Sequence, residues 1–237
     1  MLRSIIEIIA TTLICITIVG CAGQIKWPGT QVKLDPVFWE NKNATIALVV
    51  MPNPIEGHIY RFDVKYPGST TIMDHPGDTD DLAQFVQKYD YSEIESIKKL
   101  FSDDLTKRGV RVLSFDDKAL TAISHELRNK KVSDSEAITI LRRQTDAEYI
   151  ISFAVSMCGV KEQIILPGDR KYSGIISITS RLIDLRKGEI KWEYYTAIKE
   201  VNVSSDWNQP PAYPNIAKAM HQVTTSTIKE LQESFFK

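Results

Sequence analysis

The stretch Ser180-Arg181-Leu182-Ile183-Asp184-Leu185-Arg186-Lys187-Gly188-Glu189-Ile190-Lys191-Trp192-Glu193 carries the strongest fold signal in the chain. An apolar run ends near Leu185, Lys187-Gly188 turns the chain, and apolar alternation resumes at Ile190. Gly188 permits a positive φ, the Asp184 carboxylate suits turn amides, and Trp192 is placed to pack under a sheet. Upstream, Ile176, Ile178 and Leu182 share one face, interrupted by Ser180. Downstream, Ile190, Trp192, Tyr194, Thr196 and Ile198 alternate with Lys191, Glu193 and Lys199. The pattern predicts a hairpin with one buried and one wet face.

Working outward, Ala147 to Met157 reads as a long strand with Tyr149, Ile151, Phe153, Val155 and Met157 on one side, and Pro167-Gly168 marks the turn that follows. Ala44 to Met51 is short and nearly continuous in apolar residues, which predicts a strand buried on both faces. Residues 55–80 read as irregular, with a short strand at His58 to Val64. A helix is predicted from Ser92, with Ser92 and Glu95 as a capping box, Ile94, Ile97, Phe101 and Leu105 on one face, and Gly109 at its end. Val110 to Phe115 reads as the next strand, and the strand–helix–strand order predicts a parallel crossover. Asp116 to Asn129 reads as a short helix, and Ser133-Asp134-Ser135-Glu136 repeats the capping pattern. The chain closes on a helix from about Asn215, with Ile216, Met220, Val223, Thr227, Leu231 and Phe235 at helical spacing. The fold class is a single α/β domain, a mixed β-sheet flanked by helices, with a C-terminal β-hairpin and a terminal helix.

Composition narrows the function classes. The 237 residues carry 29 Lys+Arg against 30 Asp+Glu, a net charge of -1, so nucleic acid is not an expected partner. Hydrophobic residues make up 43%, enough for a sizeable core without a disulfide or metal staple.

The first residues place a charge at Arg3 before an uncharged run from Ile8 to Val19, the length of a signal-peptide core and too short for a spanning helix. Ile18-Val19-Gly20-Cys21 resembles the bacterial lipoprotein signal-peptide site, in which a small residue precedes a cysteine. The resemblance implies that Cys21 takes a diacylglycerol thioether and becomes an acylated N-terminus, a stable membrane anchor. It also implies that Ala22 directs the protein to the outer membrane. The expected organisation is 1–20 signal peptide, 21–43 lipidated tether with Trp27, Phe38 and Trp39 as anchoring aromatics, and 44–237 periplasmic domain. Cys15 leaves with the signal and Cys21 is lipidated. Cys158 is then left alone at the end of an apolar run, a buried structural thiol.

No catalytic constellation is legible. There is no Gly-x-Ser-x-Gly elbow, phosphate loop or dinucleotide loop. Asp74, His75, Asp78, Asp80 and Asp81 offer oxygen and nitrogen donors, but the EF-hand spacing is absent and no Glu closes the site. An exposed loop leading into a helix near Asp80 accounts for them, and no metal or cofactor is expected. His125-Glu126 has no second His four residues on. Trp207, Pro210, Pro211 and Tyr213 form an aromatic and proline-rich loop that either makes protein contacts or covers the sheet edge and the end of the last helix.

The hairpin motif, with Asp184, Gly188, Glu189 and Trp192 in place, resembles that of a group of bacterial envelope lipoproteins, as does the upstream phrase Thr145 to Ile151. The group includes the outer-membrane activators of penicillin-binding proteins and the curli-secretion lipoproteins, and shares the fold of the amino-terminal domain of the Tol–Pal translocation protein. The resemblance implies a non-enzymatic, lipid-anchored protein at the outer membrane, facing the periplasm and binding a cell-wall synthase or an envelope assembly or secretion complex. Loops 53–80 and 204–214 are the expected contacts, with Asp74, His75, Trp207 and Tyr213 as candidates. The alternatives are a self-associating subunit of an outer-membrane assembly and, more distantly, a cell-wall hydrolase.

Overall fold

The computed structural model describes residues 31–41, 43–51, 55–63, 70–72, 81–113, 139, 142–166, 169–203, 207 and 209–237. The expected helix at 116–129, the capping pattern at 133–136 and the turn at Pro167-Gly168 lie outside the described residues.

Eight described strands form one mixed sheet. They are β1 (Thr45–Met51), β2 (His58–Asp63), β3 (Thr70–Ile72), β4 (Arg111–Leu113), β5 (Tyr149–Leu166), β6 (Asp169–Asp184), β7 (Glu189–Tyr195) and β8 (Lys199–Asn202). Two long strands are its spine: β5 and β6 pair antiparallel from Tyr149↔Asp184 to Leu166↔Asp169. At about 3.3 Å per residue, β5 separates its two ends by roughly 56 Å along the strand. Short strands line each flank in series. β1 pairs parallel with the first part of β5 and β2 with the second. On the other side β7 pairs with the end of β6, and β8 with its beginning. The expected crossover is present, because β4 lies parallel to β1.

The predicted turn of the hairpin is present in detail. Asp184 Oδ1 accepts from the amides of Arg186 at 2.9 Å and Lys187 at 3.0 Å. Gly188 takes φ 74, and Trp192 is buried. Ile190 departs from the alternation. Leu182 pairs with Trp192 but Ile183 with Ile190, so Lys191 is an extra residue in β7. This bulge shifts Ile190 off the face that Trp192 buries, and it stands exposed. A second bulge sits at Ser156, between the pairs of Val155 and Met157. It resets the alternation of β5: the core receives Ile151, Phe153 and Val155, then Cys158 and Val160, in place of the expected Met157.

Four α-helices have both ends among the described residues: α1 (Asp81–Lys88), α2 (Ser92–Glu95), α3 (Ile97–Lys107) and α4 (Pro214–Phe236). The helix expected to run unbroken from Ser92 is interrupted at Ser96, whose hydroxyl donates to the Glu93 carbonyl at 2.6 Å. The expected capping box is absent: the Asp90 carboxylate, not the Ser92 side chain, takes up the first amide, that of Ser92, at 2.9 Å. Ile94, Ile97, Phe101 and Leu105 are buried as predicted, and so is the whole apolar stripe of α4. These helices join one face of the sheet in a core with Ile46, Leu48, Phe153, Ile178 and Trp192. On β1, Ala47 and Val49 are buried too, so the strand is covered on both faces.

Residues 31–41, expected as tether, dock onto the domain. The Val32 carbonyl accepts from the Glu193 amide of β7 at 2.9 Å. A 3-10 helix at Pro36–Glu40 follows, capped by Asp35, and Leu34, Phe38 and Trp39 pack against the core.

The two short strands β7 and β8 meet the same long strand with a gap between them, and Thr196 fills it. Its hydroxyl oxygen accepts from the Ile178 amide at 2.7 Å, and the hydroxyl donates to the Ile178 carbonyl at 3.1 Å. Thr196→Val keeps the shape and removes both bonds. The Ile178 carbonyl keeps the residue-196 amide at 3.0 Å, so the cost is that of one buried amide left unpaired, about 1–3 kcal/mol, read from the midpoint of urea unfolding.

Candidate functional site

At the end of the sheet where β5 finishes and β6 begins, the core face carries a charge. Glu162 follows Cys158 and Val160 in the reset alternation, and it is 2% exposed. Its register partners are Tyr172 on β6 and Arg61 on β2. Arg61 donates from both Nε and Nη2 to Glu162 Oε2 at 2.6 Å. Arg170 Nη1 donates to Oε1 at 2.9 Å, and the Tyr172 hydroxyl to the same oxygen at 3.0 Å. The carboxylate is thus desolvated but fully partnered, the condition under which a buried charge is tolerated. Both arginines remain partly exposed.

Trp207 lies over this cluster, its ring 4.2 Å from that of Tyr172. Tyr213, the other aromatic of the loop, is placed differently. It is 3% exposed, lies 5.3 Å from Phe85 between ring centroids, and forms the left-handed cap (φ 39, ψ 57) that starts α4. Its ring belongs to the core, so it offers no surface to a partner. Of the contact candidates, then, Trp207 stands at the surface of this site. Asp74, His75 and Cys21 lie outside the described residues.

The sequence reading missed Glu162, Arg61, Arg170 and Tyr172. An acid at Glu162 just beyond an apolar strand was the available signal. The apolar alternation legible in the sequence ends at Met157, and the bulge at Ser156 changes which residues face inward beyond it.

Burial pushes the Tyr172 phenol up to about 12, the Glu162 charge acting in the same direction and Arg170 against it. Burial likewise pushes the Cys158 thiol up to about 12. Neither the phenol nor the thiol ionises near neutrality, so neither is poised as a base or nucleophile. Among the described residues, no three of His, Cys, Asp and Glu gather into a metal-binding group. No described helix is long and apolar enough to cross a membrane. What the cluster presents is two guanidinium edges and an indole, held rigidly from beneath. Arg and Trp are the side chains that dominate protein contacts when positioned in this way.

No family model matches the chain, and no curated protein matches it. Solved structures with some likeness include protein XCC0632 from Xanthomonas campestris, at 10% identity and a TM-score of 0.41, covering 86% of this chain and 90% of that one. Lipoprotein GNA1162 from Neisseria meningitidis is 12% identical with a TM-score of 0.34, covering 80% of this chain and 99% of that one. A PelC dodecamer from Paraburkholderia phytofirmans is 16% identical with a TM-score of 0.35, covering 82% and 89%. Likenesses at this level leave the family unassigned.

Two outcomes test the site. Glu162→Leu takes the acceptor from two partly exposed arginines and from the buried Tyr172 hydroxyl and should destabilise the domain by about 1–3 kcal/mol in chemical unfolding, with Arg170→Gln costing less because Arg170 is the more exposed partner. The raised Tyr172 value also fixes a sign. An unfolded phenol titrates near 10, so the stability tied to Tyr172 is complete below about pH 10 and is lost as pH rises towards about 12. Urea unfolding at pH 9 and at pH 11 should therefore show a fall that is shallower in Tyr172→Phe.

Proposed function

We propose that this protein is a non-enzymatic, lipid-anchored component of the bacterial outer membrane that engages a protein partner in the periplasm. The observation that carries the reading is the polarity of the fold. The described chain enters beside β7 and packs at the start of β5, through Phe38 against Tyr149. The Trp207–Tyr172–Glu162 cluster lies at the other end of the same long strand. An anchor at Cys21 therefore leaves Trp207, Arg61 and Arg170 pointing away from the membrane. Binding surfaces concentrate on loops held by a rigid scaffold, and Trp207 rests on Tyr172 of β6. Asp74 and His75 join the proposed contact on the sequence alone. A cell-wall synthase or an envelope assembly complex is the partner class proposed.

The test is a crosslinked pull-down from intact envelopes. Cys21→Ala should abolish acyl labelling and membrane fractionation. Trp207→Ala and Arg170→Ala should each reduce recovery of the partner about 10-fold or more, as loss of a central contact does, while Lys107→Ala on α3 leaves it unchanged. Recovery of the chain itself in place of another protein would move the reading to a self-associating assembly. Recovery that ignores Trp207 and Arg170 would remove this end of the domain from the contact.

A further inference from the structure

The end of the domain opposite Trp207 has an unusual surface. Among the described residues, four large apolar side chains stand out as exposed: Val32 at 37%, Val37 at 61%, Leu100 at 37% and Ile190 at 42%. Three of the four, all but Leu100, lie where the chain enters the fold. Each is held outside by a specific local structure. Val37 is on the 3-10 helix at Pro36–Glu40, while its neighbours Phe38 and Trp39 turn inward. The Phe38 ring meets Tyr149 at 5.3 Å, and the Trp39 ring lies 5.5 Å from Phe235 and stacks on Phe236 at 5.9 Å. Ile190 is displaced outward by the bulge at Lys191. Val32 is fixed by its carbonyl bond to β7.

Aromatic rings form the support beneath, several of the surrounding charges are paired, and Lys33, Asp35, Glu40 and Lys187 add both signs. The Arg108 guanidinium lies 4.5 Å from the Trp39 ring centroid and donates to the Phe236 carbonyl at 2.6 Å. Lys191 pairs with Glu189 at 2.5 Å, Lys237 with Glu233 at 2.9 Å, and Lys107 with Asp104 at 2.9 Å. Arg186 pairs with Glu148. This is no basic patch of the kind that seeks anionic lipid. It is a rim of mixed charge around apolar tips backed by an indole and two phenyl rings, the side-chain chemistry of a polar–apolar boundary.

Chain length supplies the occupant. Cys21 stands ten residues before Gln31. Ten residues span at most about 35 Å when fully extended, so an acylated Cys21 keeps this end within that distance of the bilayer. At so short a tether the local concentration of lipid is high, and a contact too weak to bind a membrane alone can still be occupied.

We infer that this end of the domain is a lipid-facing surface, on which Val37, Ile190 and Val32, backed by Phe38, Trp39 and Phe236, rest in the headgroup region of a neutral bilayer. The inference rests on the lipid anchor proposed above. The contact fixes the orientation of the domain rather than its attachment.

The experiment uses the full-length acylated protein in phosphatidylcholine–phosphatidylethanolamine vesicles. An environment-sensitive fluorophore is placed at Val37→Cys, at Ile190→Cys, and at Glu200→Cys on β8 as the distant control, all in a Cys15→Ala background; Cys158 is buried and stays unlabelled. Emission at positions 37 and 190 should shift to the blue and be protected from aqueous iodide, with neither change at position 200. Intact mass reports acylation separately. Acylated protein in which all three positions are quenched alike would overturn the inference and leave the anchor standing. Protein that carries no acyl chain, with position 37 in water when vesicles are added, would overturn both. Protein without an acyl chain that still shifts at positions 37 and 190 would uphold the surface and remove the anchor.

Discussion

Everything in this domain hangs on the antiparallel ladder between β5 and β6. Its two strands are three times the usual strand length, and among the described residues α4 is the one other long element, packing along the ladder. Every other described strand is short: β1, β2, β7 and β8 each pair with only part of the ladder, and β3 and β4 join through β2 and β1. That arrangement gives the sheet two tiers on each flank and forces a join wherever one short strand gives way to the next. Thr196 makes one such join by lending its hydroxyl to the backbone of Ile178. The ladder also sets apart the two ends that the functional proposals use, since nothing short of breaking it brings Trp207 near Val37.

Glu162 marks where the apolar core runs out. The alternation that delivers Val155, Cys158 and Val160 to the interior delivers an acid next, and the register brings Arg61 and Tyr172 to it from both neighbouring strands. Apolar residues in place of the whole cluster would give comparable or greater stability, although losing the acid alone would not, because desolvating a carboxylate consumes much of what its ion pairs return. What the acid adds is placement: two guanidiniums that would otherwise sample many rotamers are held in one geometry under an indole. The cluster is better understood as a device for rigidity at a surface than as a source of stability.

Much of this was legible from residues that act locally. Asp184, Gly188 and Trp192 specify a hairpin within a dozen residues, the apolar run at β1 specifies a doubly covered strand, and the stripe on α4 specifies its buried face. The failures share a cause. A β-bulge has no compositional signature, so the extra residues at Ser156 and Lys191 were invisible, and each turned the following side chains to the other face. The Glu162 cluster needs a partner 101 residues away, and nothing near Arg61 announces that pairing. The proline-rich loop allows Tyr213 either a partner contact or a place covering the end of the last helix, and its left-handed backbone and contact with Phe85 give it the second, as the residue on which α4 begins. The docking of residues 31–41 was missed because a stretch poor in regular pattern reads as linker even when Trp39 and Phe38 tie it down.

The ladder makes the height of the molecule a quantised variable. A residue inserted in β5 alone is a bulge and rotates every later side chain to the wrong face. Two residues inserted in β5 and two opposite them in β6 preserve both faces and lengthen the domain by one step of about 6.6 Å. A protein that works by holding one end at a surface and the other at a fixed distance from it can thus be retuned only in such steps. The span between Val37 and Trp207 is a ruler whose graduations are set by the pleat.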